Sequence, residues 1–375
     1  MMWLAIFIIC VIPFITVLVN RATIEYNAIK RYAGVSLYMS SKSIIVIGYF
    51  IVFFFISAFR SANVGCDTQS YLDLFDKVAN SGYYIGDTRY EIGYVYLNKL
   101  VAFLYDSHFF FLFFTSFLLM LGYAIFIRKL SKIIWLSFFL FFTLRYFDQS
   151  MNLLRQNFAI ILIFISYLRL RKKRIYQSIL WTFLASCFHL TAITFLLGIL
   201  AYKMCNWNLN KILLCFSLLG IVLYIACGSL TNLIFNNIAS YASYANSVYN
   251  EGGARIAVVL QLLMSLLVIT GGILCNRTDY EREDYTENKM LLLLLLFGVM
   301  FLILSLQFNQ MTRLASYFSV FAIIYLPNSL IAVSKKKRFI GYILIFLVGV
   351  SSYLMINMLR PQWAGIYPYT FSFLN

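Results

Sequence analysis

IIVIGYFIVFFFISAF (Ile44–Phe59) runs without a charge into RSANVGCDTQSY (Arg60–Tyr71), where an arginine, an aspartate, two amides and a tyrosine crowd together. An apolar stretch of about 17–25 residues crosses a ~30 Å hydrocarbon layer as a helix. Inside that layer only helices and closed barrels satisfy the backbone. Such stretches recur throughout the 375 residues, of which 62% are hydrophobic, 19% aromatic and 12% charged, against about 25% charged in soluble domains. The chain therefore reads as an all-α, polytopic membrane bundle, a single integral membrane domain over 1–375. The expected spans are 3–19, 43–59, 109–127, 133–147, 152–170, 175–188, 190–202, 212–227, 256–275, 290–307, 314–333 and 339–358, about 12 crossings.

Charge orients these spans. No basic residue precedes the first apolar stretch and Arg21 follows it, which predicts a retained first helix that starts outside the cell rather than a cleaved signal. Setting RKLSK (Arg128–Lys132), RLRKKR (Arg169–Arg174) and KKKR (Lys335–Arg338) in the cytoplasm satisfies the positive-inside rule throughout. This holds provided that Glu91–Tyr105 lies at the outer interface, or re-enters from it, without crossing. The external segments are then 60–108, containing that helix, the loop 228–255 and the tail 359–375. The +16 net charge sits in short loops between spans, so nucleic acid is not expected as a partner and the lipid bilayer is. Two histidines, and seven cysteines without a CxxC pair, point to neither a metal centre nor a cofactor.

The basic residues expected outside are Arg60, Lys77, Arg89, Lys99, Arg145, Arg155, Arg255, Arg313 and Arg360, most of them arginine. Snorkelling to lipid headgroups, or pairing with Asp67, Asp73, Asp76, Glu91 and Asp148, accounts for any one of them. As a set beneath the outer leaflet, guanidinium forks suit a diphosphate, which arginine binds bidentately and lysine only as a point charge.

Polar stripes recur at the outer span ends. Asp67 and Tyr71 stand at i, i+4 behind a turn that Asn63 and Gly65 allow. Glu91, Tyr94 and Asn98 share a face in YEIGYVYLNKL, as do Asn152, Arg155, Gln156 and Ala159 in MNLLRQNFA; Asn309, Arg313 and Tyr317 repeat at i, i+4, i+8 in NQMTRLASY. Amphipathic packing on lipid or hydrogen bonds between helices give the same spacing, whereas arginines buried at matching depth call for an anion. His189, between two short apolar halves, serves equally as a partner for a neighbouring helix or as a proton-transfer or phosphate-binding group. The tyrosines of SYASYANSVY (Ser240–Tyr249) and of the tail RPQWAGIYPYTFSF, Tyr369 among them, form either an interface belt or surfaces on which sugar rings stack.

R-x-x-N-x-G-x-D-x-x-x-Y (Arg60–Tyr71), E-x-G-Y (Glu91–Tyr94), N-x-x-R-Q (Asn152–Gln156), F-H-x-x-A (Phe188–Ala192), R-x-x-x-Y (Arg313–Tyr317) and Y-P-Y (Tyr367–Tyr369) together resemble the EpsG/Wzy-like polysaccharide polymerases over nearly the whole chain. The resemblance implies a GT-C-like helical glycosyltransferase of the bacterial inner membrane. Such an enzyme joins oligosaccharide units carried on undecaprenyl pyrophosphate into O-antigen or exopolysaccharide at the periplasmic face, independently of a metal, in company with a flippase and a chain-length regulator.

That reaction needs a base for a sugar hydroxyl and hydrogen-bond donors for the departing diphosphate. Arg60, Arg155 and Arg313 are the first candidates for the diphosphate, with Arg145 and Arg255 behind them. Asn63, Tyr71, Tyr94, Asn152, Gln156, Tyr317 and Tyr369 complete the expected substrate surface. Asp67 and Glu91 stand level as the base, and His189 joins the catalytic set. A lipid-linked-oligosaccharide flippase is the competing reading; it predicts two similar helical halves and mid-membrane charges, and no internal repeat is visible. An O-antigen ligase, which uses the same donor, is the other alternative.

Overall fold

A computed structural model of the chain describes residues 41–80, 90–237, 255–276, 283–359 and 364–373. The expected first span (3–19), Arg89, Arg360 and positions 238–254 of the expected loop lie outside these residues. Among the described residues every named element is helical; the one exception to helix and turn is an isolated bridge between Arg60 and Phe371. The contacts divide the chain into two compact units, one of 1–161, 187–189 and 342–375 and the other of 162–186 and 190–341.

In the first unit, α1 (Ser41–Ala58) stops just before Arg60, and α2 (Thr68–Asn80) and α3 (Ile92–Leu104) form an excursion before α4 (His108–Leu130). α1 and α4 run antiparallel, joined by a hydrogen bond from Ser57 Oγ to Ser116 Oγ at 2.9 Å. Edge contacts of Phe50 with Phe117 and Phe54 with Phe113, at 5.8 and 5.0 Å, extend the seam. α3 has 13 residues, about 20 Å of helix, too short for a ~30 Å layer. Its polarity is the reverse of a soluble helix. Tyr94, Val95, Asn98 and Val101 are buried against the protein while Ile92, Tyr96, Leu100 and Phe103 face outward. This arrangement suits a segment that enters the hydrocarbon layer without crossing it.

α5 (Ile134–Thr143) and α6 (Tyr146–Asn152) break the span expected over 133–147, while α7 (Leu154–Arg171) is a continuous helix close to the one expected over 152–170. The span expected over 133–147 ends at Thr143 because Arg145 adopts a left-handed conformation, φ 66°, which costs a non-glycine residue about 1–3 kcal/mol. An ion pair from Arg145 to Asp148 one turn later offsets that cost. The first half of α7 belongs to the first unit and the rest to the second.

The second unit continues with α8 (Ile175–Ser186), a 3₁₀ stretch (Leu190–Leu196), α9 (Leu197–Met204), α10 (Leu209–Asn237), α11 (Arg255–Asn276), α12 (Glu283–Ser305), α13 (Met311–Ser319), α14 (Ala322–Ser329) and a closing 3₁₀ turn, Leu330–Ala332. Ser166 of α7 meets Ser178 and Thr182 of α8 through hydroxyl contacts of 2.8 and 2.9 Å, the polar bonding that joins helices where water is absent. The span expected over 190–202 opens as 3₁₀ because Thr191, Ile193 and Thr194 are stiff β-branched residues, and Thr194 Oγ1 donates to the Thr191 carbonyl at 2.8 Å. The span expected over 314–333 is two helices and a turn, with Pro327 inside α14 removing a backbone donor. α10 runs to Asn237, into the stretch expected as the loop 228–255, because Leu230, Leu233 and Ile234 keep a helical spacing.

α15 (Lys335–Leu359) brings Gly349 against Phe139 and Thr143 of α5. Within the expected external tail, 359–375, residues 364–373 run back along 59–66 as a strap. Ser61 N–H donates to the Thr370 carbonyl (2.9 Å), Gly65 N–H to Gly365 (2.8 Å), Cys66 N–H to Ala364 (3.2 Å) and Ser372 N–H to Phe59 (2.8 Å).

The protein is an all-α membrane bundle. Among the described residues, six stretches are long and apolar enough to cross: His108–Leu130, Leu209–Ala226, Ile256–Asn276, Glu287–Ser305, Met311–Ala332 and Lys335–Leu359. The difference from about 12 expected crossings lies in 3–19, which is outside the described residues, in α1, α5, α8 and the 3₁₀–α9 pair, which are shorter, and in α7, which carries Arg155, Arg169 and Arg171.

Candidate functional site

Three of the quoted motifs converge on one carboxylate in the first unit. Glu91 stands immediately before α3 and uses its oxygens separately. Oε2 accepts from Arg155 Nη1 at 2.6 Å, and Oε1 lies 2.9 Å from His189 Nδ1. The side chains of Glu91, Arg155 and His189 are 18%, 20% and 11% exposed, so the cluster is shielded yet reachable. The Arg155 guanidinium lies over the Tyr90 ring, 4.8 Å from its centroid, and is hydrogen-bonded to Tyr71. Tyr94, wholly buried, meets Tyr71 edge-on at 5.5 Å.

Small residues make this convergence possible. Gly93 N–H donates to the Cys187 carbonyl at 2.8 Å, and a Cβ on Gly93 would meet that oxygen at 2.8 Å and the Phe188 ring at 3.1 Å. The glycine of E-x-G-Y thus lets α3 seat directly on the turn that presents His189. Phe188 stacks on Phe158 at 5.8 Å, tying the same turn to the helix that carries Arg155. In the preceding motif, Gly65 has φ 96°, and a Cβ there would lie 2.7 Å from Thr68 Oγ1. The resulting turn brings Asp67 N–H to Asn152 Oδ1 at 3.0 Å, linking it to the N-x-x-R-Q motif.

The electrostatics assign Glu91 a role. Burial by itself raises the carboxyl, but the hydrogen bond to His189 and the Arg155 charge outweigh it and hold the group at about 2. A carboxylate that acidic is a poor proton acceptor near neutral pH. It is well suited to orienting its neighbours. Accepting at Nδ1, it selects the imidazole tautomer whose Nε2 carries a lone pair, and Nε2 makes no hydrogen bond to a described residue.

The remaining expected site residues fall into separate settings. Arg60 was expected to face a diphosphate; the structure turns it inward. It is 0% exposed, with Nη1 donating to the Ser57 carbonyl (2.5 Å) and Ser116 Oγ (3.1 Å) and Nη2 to the Met151 carbonyl (3.4 Å). These acceptors engage both Nη atoms, while the buried Nε has no partner among the described residues, and they staple α1, α4 and α6 together. Arg145 Nε lies 3.1 Å from Asp148 Oδ2. Asp148 also accepts from Tyr353, whose hydroxyl is 2.8 Å from that of Tyr367. The Tyr369 hydroxyl donates to the Ile56 carbonyl. Gln156 is buried in α7, Asn63 is exposed at the turn, and Asp67 is half-buried beside it.

In the second unit, Arg313 is half-buried on α13, and Tyr317 is wholly buried with its hydroxyl 3.1 Å from Thr191 Oγ1. Arg255 is the first residue of α11, and its side chain lies outside the description. Sequence reasoning missed Tyr90 as a platform for Arg155, although it adjoins Glu91 in YEIGY. It also missed the Asp148–Tyr353–Tyr367 chain, whose members lie far apart in sequence.

The profile of the EpsG family matches residues 43–371. No curated protein and no solved structure gives a significant match.

Proposed function

The chain belongs to the EpsG family, whose members are polysaccharide-polymerase-like membrane proteins, and from that premise we propose that it polymerises oligosaccharide repeat units by glycosyl transfer from a lipid diphosphate. The donor is an undecaprenyl-pyrophosphate-linked chain presented at the periplasmic face of the inner membrane. The observation that carries this reading is the bridging of Arg155 and His189 by Glu91, which joins three short motifs into one acid–base and anion-binding cluster.

In the proposed reaction, His189 Nε2 takes the proton of an acceptor sugar hydroxyl. The freed oxygen forms a bond to the anomeric carbon, and the bond from that carbon to the diphosphate oxygen breaks, its electron pair leaving with the diphosphate. Arg155 is held in place by Glu91, Tyr71 and Tyr90 before substrate arrives, and its guanidinium stabilises the developing charge; fixed donors of this kind pay no reorganisation cost during reaction. Glu91 holds the imidazole tautomer and stabilises the imidazolium that forms. Arg60 and Arg145 hold the scaffold. A second reading gives the proton to Asp67, whose carboxylate makes no hydrogen bond to a described residue and which lies one turn from Tyr71.

The test is a surface-polysaccharide gel from a deletion strain. Loss of the ladder with survival of a single-repeat band is the expected outcome; loss of every repeat would assign the protein to ligation or transport instead. Complementation with His189→Gln and with Asp67→Asn separates the two bases, since the true base is the one whose replacement abolishes the ladder.

A further inference from the structure

Away from the Glu91 cluster, the antiparallel pair α1 and α4 opens into a groove of about 870 Å³, lined by Val46, Phe50, Ile51, Phe117, Ile125 and Arg128 among others. Its volume lies within the range of small-molecule sites, about 300–1,000 Å³. The walls are apolar except toward one end. On α4 the lining runs from Phe117 to Arg128, about 17 Å of helix, which is close to half of a ~30 Å hydrocarbon layer. The groove is therefore as long as the acyl region of one leaflet. Ile47, Ile51, Phe117 and Ile125 are exposed along it, so it is open sideways.

The end of the groove is strongly basic. Arg128 lines it, Lys129 follows in the last turn of α4, and Lys42 lies in the first turn of the antiparallel α1. Neither 41–66 nor 107–147, which contain α1, α4 and α5, holds an aspartate or glutamate. A guanidinium at the mouth of an apolar channel one leaflet long matches an amphiphile with a phosphate head and an acyl tail. The chain's own apolar segment 3–19 is the other conceivable occupant. It contains no acid, and residues 20–40 bring Arg21, Lys30 and Arg31 against Glu25 alone, so it would add positive charge to a positive end.

We propose that the α1–α4 groove is a binding site for one anionic diacyl phospholipid, with the phosphate on Arg128 and an acyl chain between Phe50 and Phe117. This site is independent of the glycosyl-transfer reading. A basic side chain near an anionic headgroup contributes about 1 kcal/mol, which corresponds to roughly a five-fold preference over a zwitterionic lipid.

The experiment is native mass spectrometry of the delipidated full chain, titrated with dioleoyl phosphatidylglycerol or dioleoyl phosphatidylcholine. One phosphatidylglycerol is expected to be retained, about five-fold more tightly than phosphatidylcholine. Arg128→Gln should lower phosphatidylglycerol to the phosphatidylcholine level. Ile125→Trp, which fills the groove from an exposed position, should abolish retention of both, and an unchanged melting temperature in each variant shows the fold intact. Equal retention of the two lipids, retention of neither, or a preference that survives Arg128→Gln would overturn the proposal. Displacement by equimolar undecaprenyl phosphate would also overturn it, by assigning the groove to the carrier lipid.

Discussion

Arg155 gives Glu91 one guanidinium nitrogen and is also hydrogen-bonded to Tyr71, so lysine can replace the charge but not the geometry. Arg155→Lys is expected to reach the membrane in normal amount and to slow polymerisation by about 10²–10³-fold, read as collapse of the ladder toward single repeats. Near-normal chain lengths in that variant would remove Arg155 from the reaction. Glu91 also makes a prediction about acid stability. Its folded carboxyl at about 2 lies below the ordinary value of about 4.3. The stabilising contribution of a depressed carboxyl is complete above the unfolded value and fades as pH falls through the folded one. The melting-temperature gap between the purified wild type and Glu91→Gln should therefore be constant above about pH 5 and close between about pH 4 and pH 2. A gap that widened on acidification would reverse the assigned sign.

At the scale of elements, α3 is positioned by a backbone-to-backbone contact that only glycine permits. Gly93→Ala forces a Cβ to within 2.8 Å of the Cys187 oxygen, a crowding that typically costs about 1–3 kcal/mol. It should lower both the melting temperature and the ladder, because the displaced turn is the one that holds His189. Wild-type activity in Gly93→Ala would show that the seating of α3 is dispensable. Most helices were legible in the sequence because lipid burial demands long apolar runs, and Arg155 and Gln156 do stand in the first turn of α7, whereas Asn152 closes α6. The breaks were not legible: a run such as IIWLSFFLFFTLRYF carries no glycine or proline to announce that Arg145 turns left-handed. The site was half legible. An arginine after a span reads the same whether it faces a ligand or staples carbonyls, and what decides for Arg60 is Ser116 and Met151, 56 and 91 residues away. The Glu91–His189 contact, across 98 residues, left no mark in local spacing beyond the two motifs themselves.

At the scale of the whole molecule, the positive-inside rule predicts from the distribution of lysine and arginine which loops remain in the cytoplasm. Fluorescent-protein fusions after Lys132 or Lys173 are expected to fluoresce, and an alkaline phosphatase fusion after Asp106 is expected to be active; the opposite pattern would invert the orientation and with it the face on which the Glu91 cluster works. The strap has a consequence of timing. Residues 364–373 leave the ribosome after every described helix, yet Ser61, Gly65 and Cys66 bond to them. A nascent chain released from the translocon as far as α15 holds its hydrophobic segments in the bilayer while the turn beside Asp67 is still unlatched. The turn beside Asp67 is therefore completed only once residues 364–373 have been made.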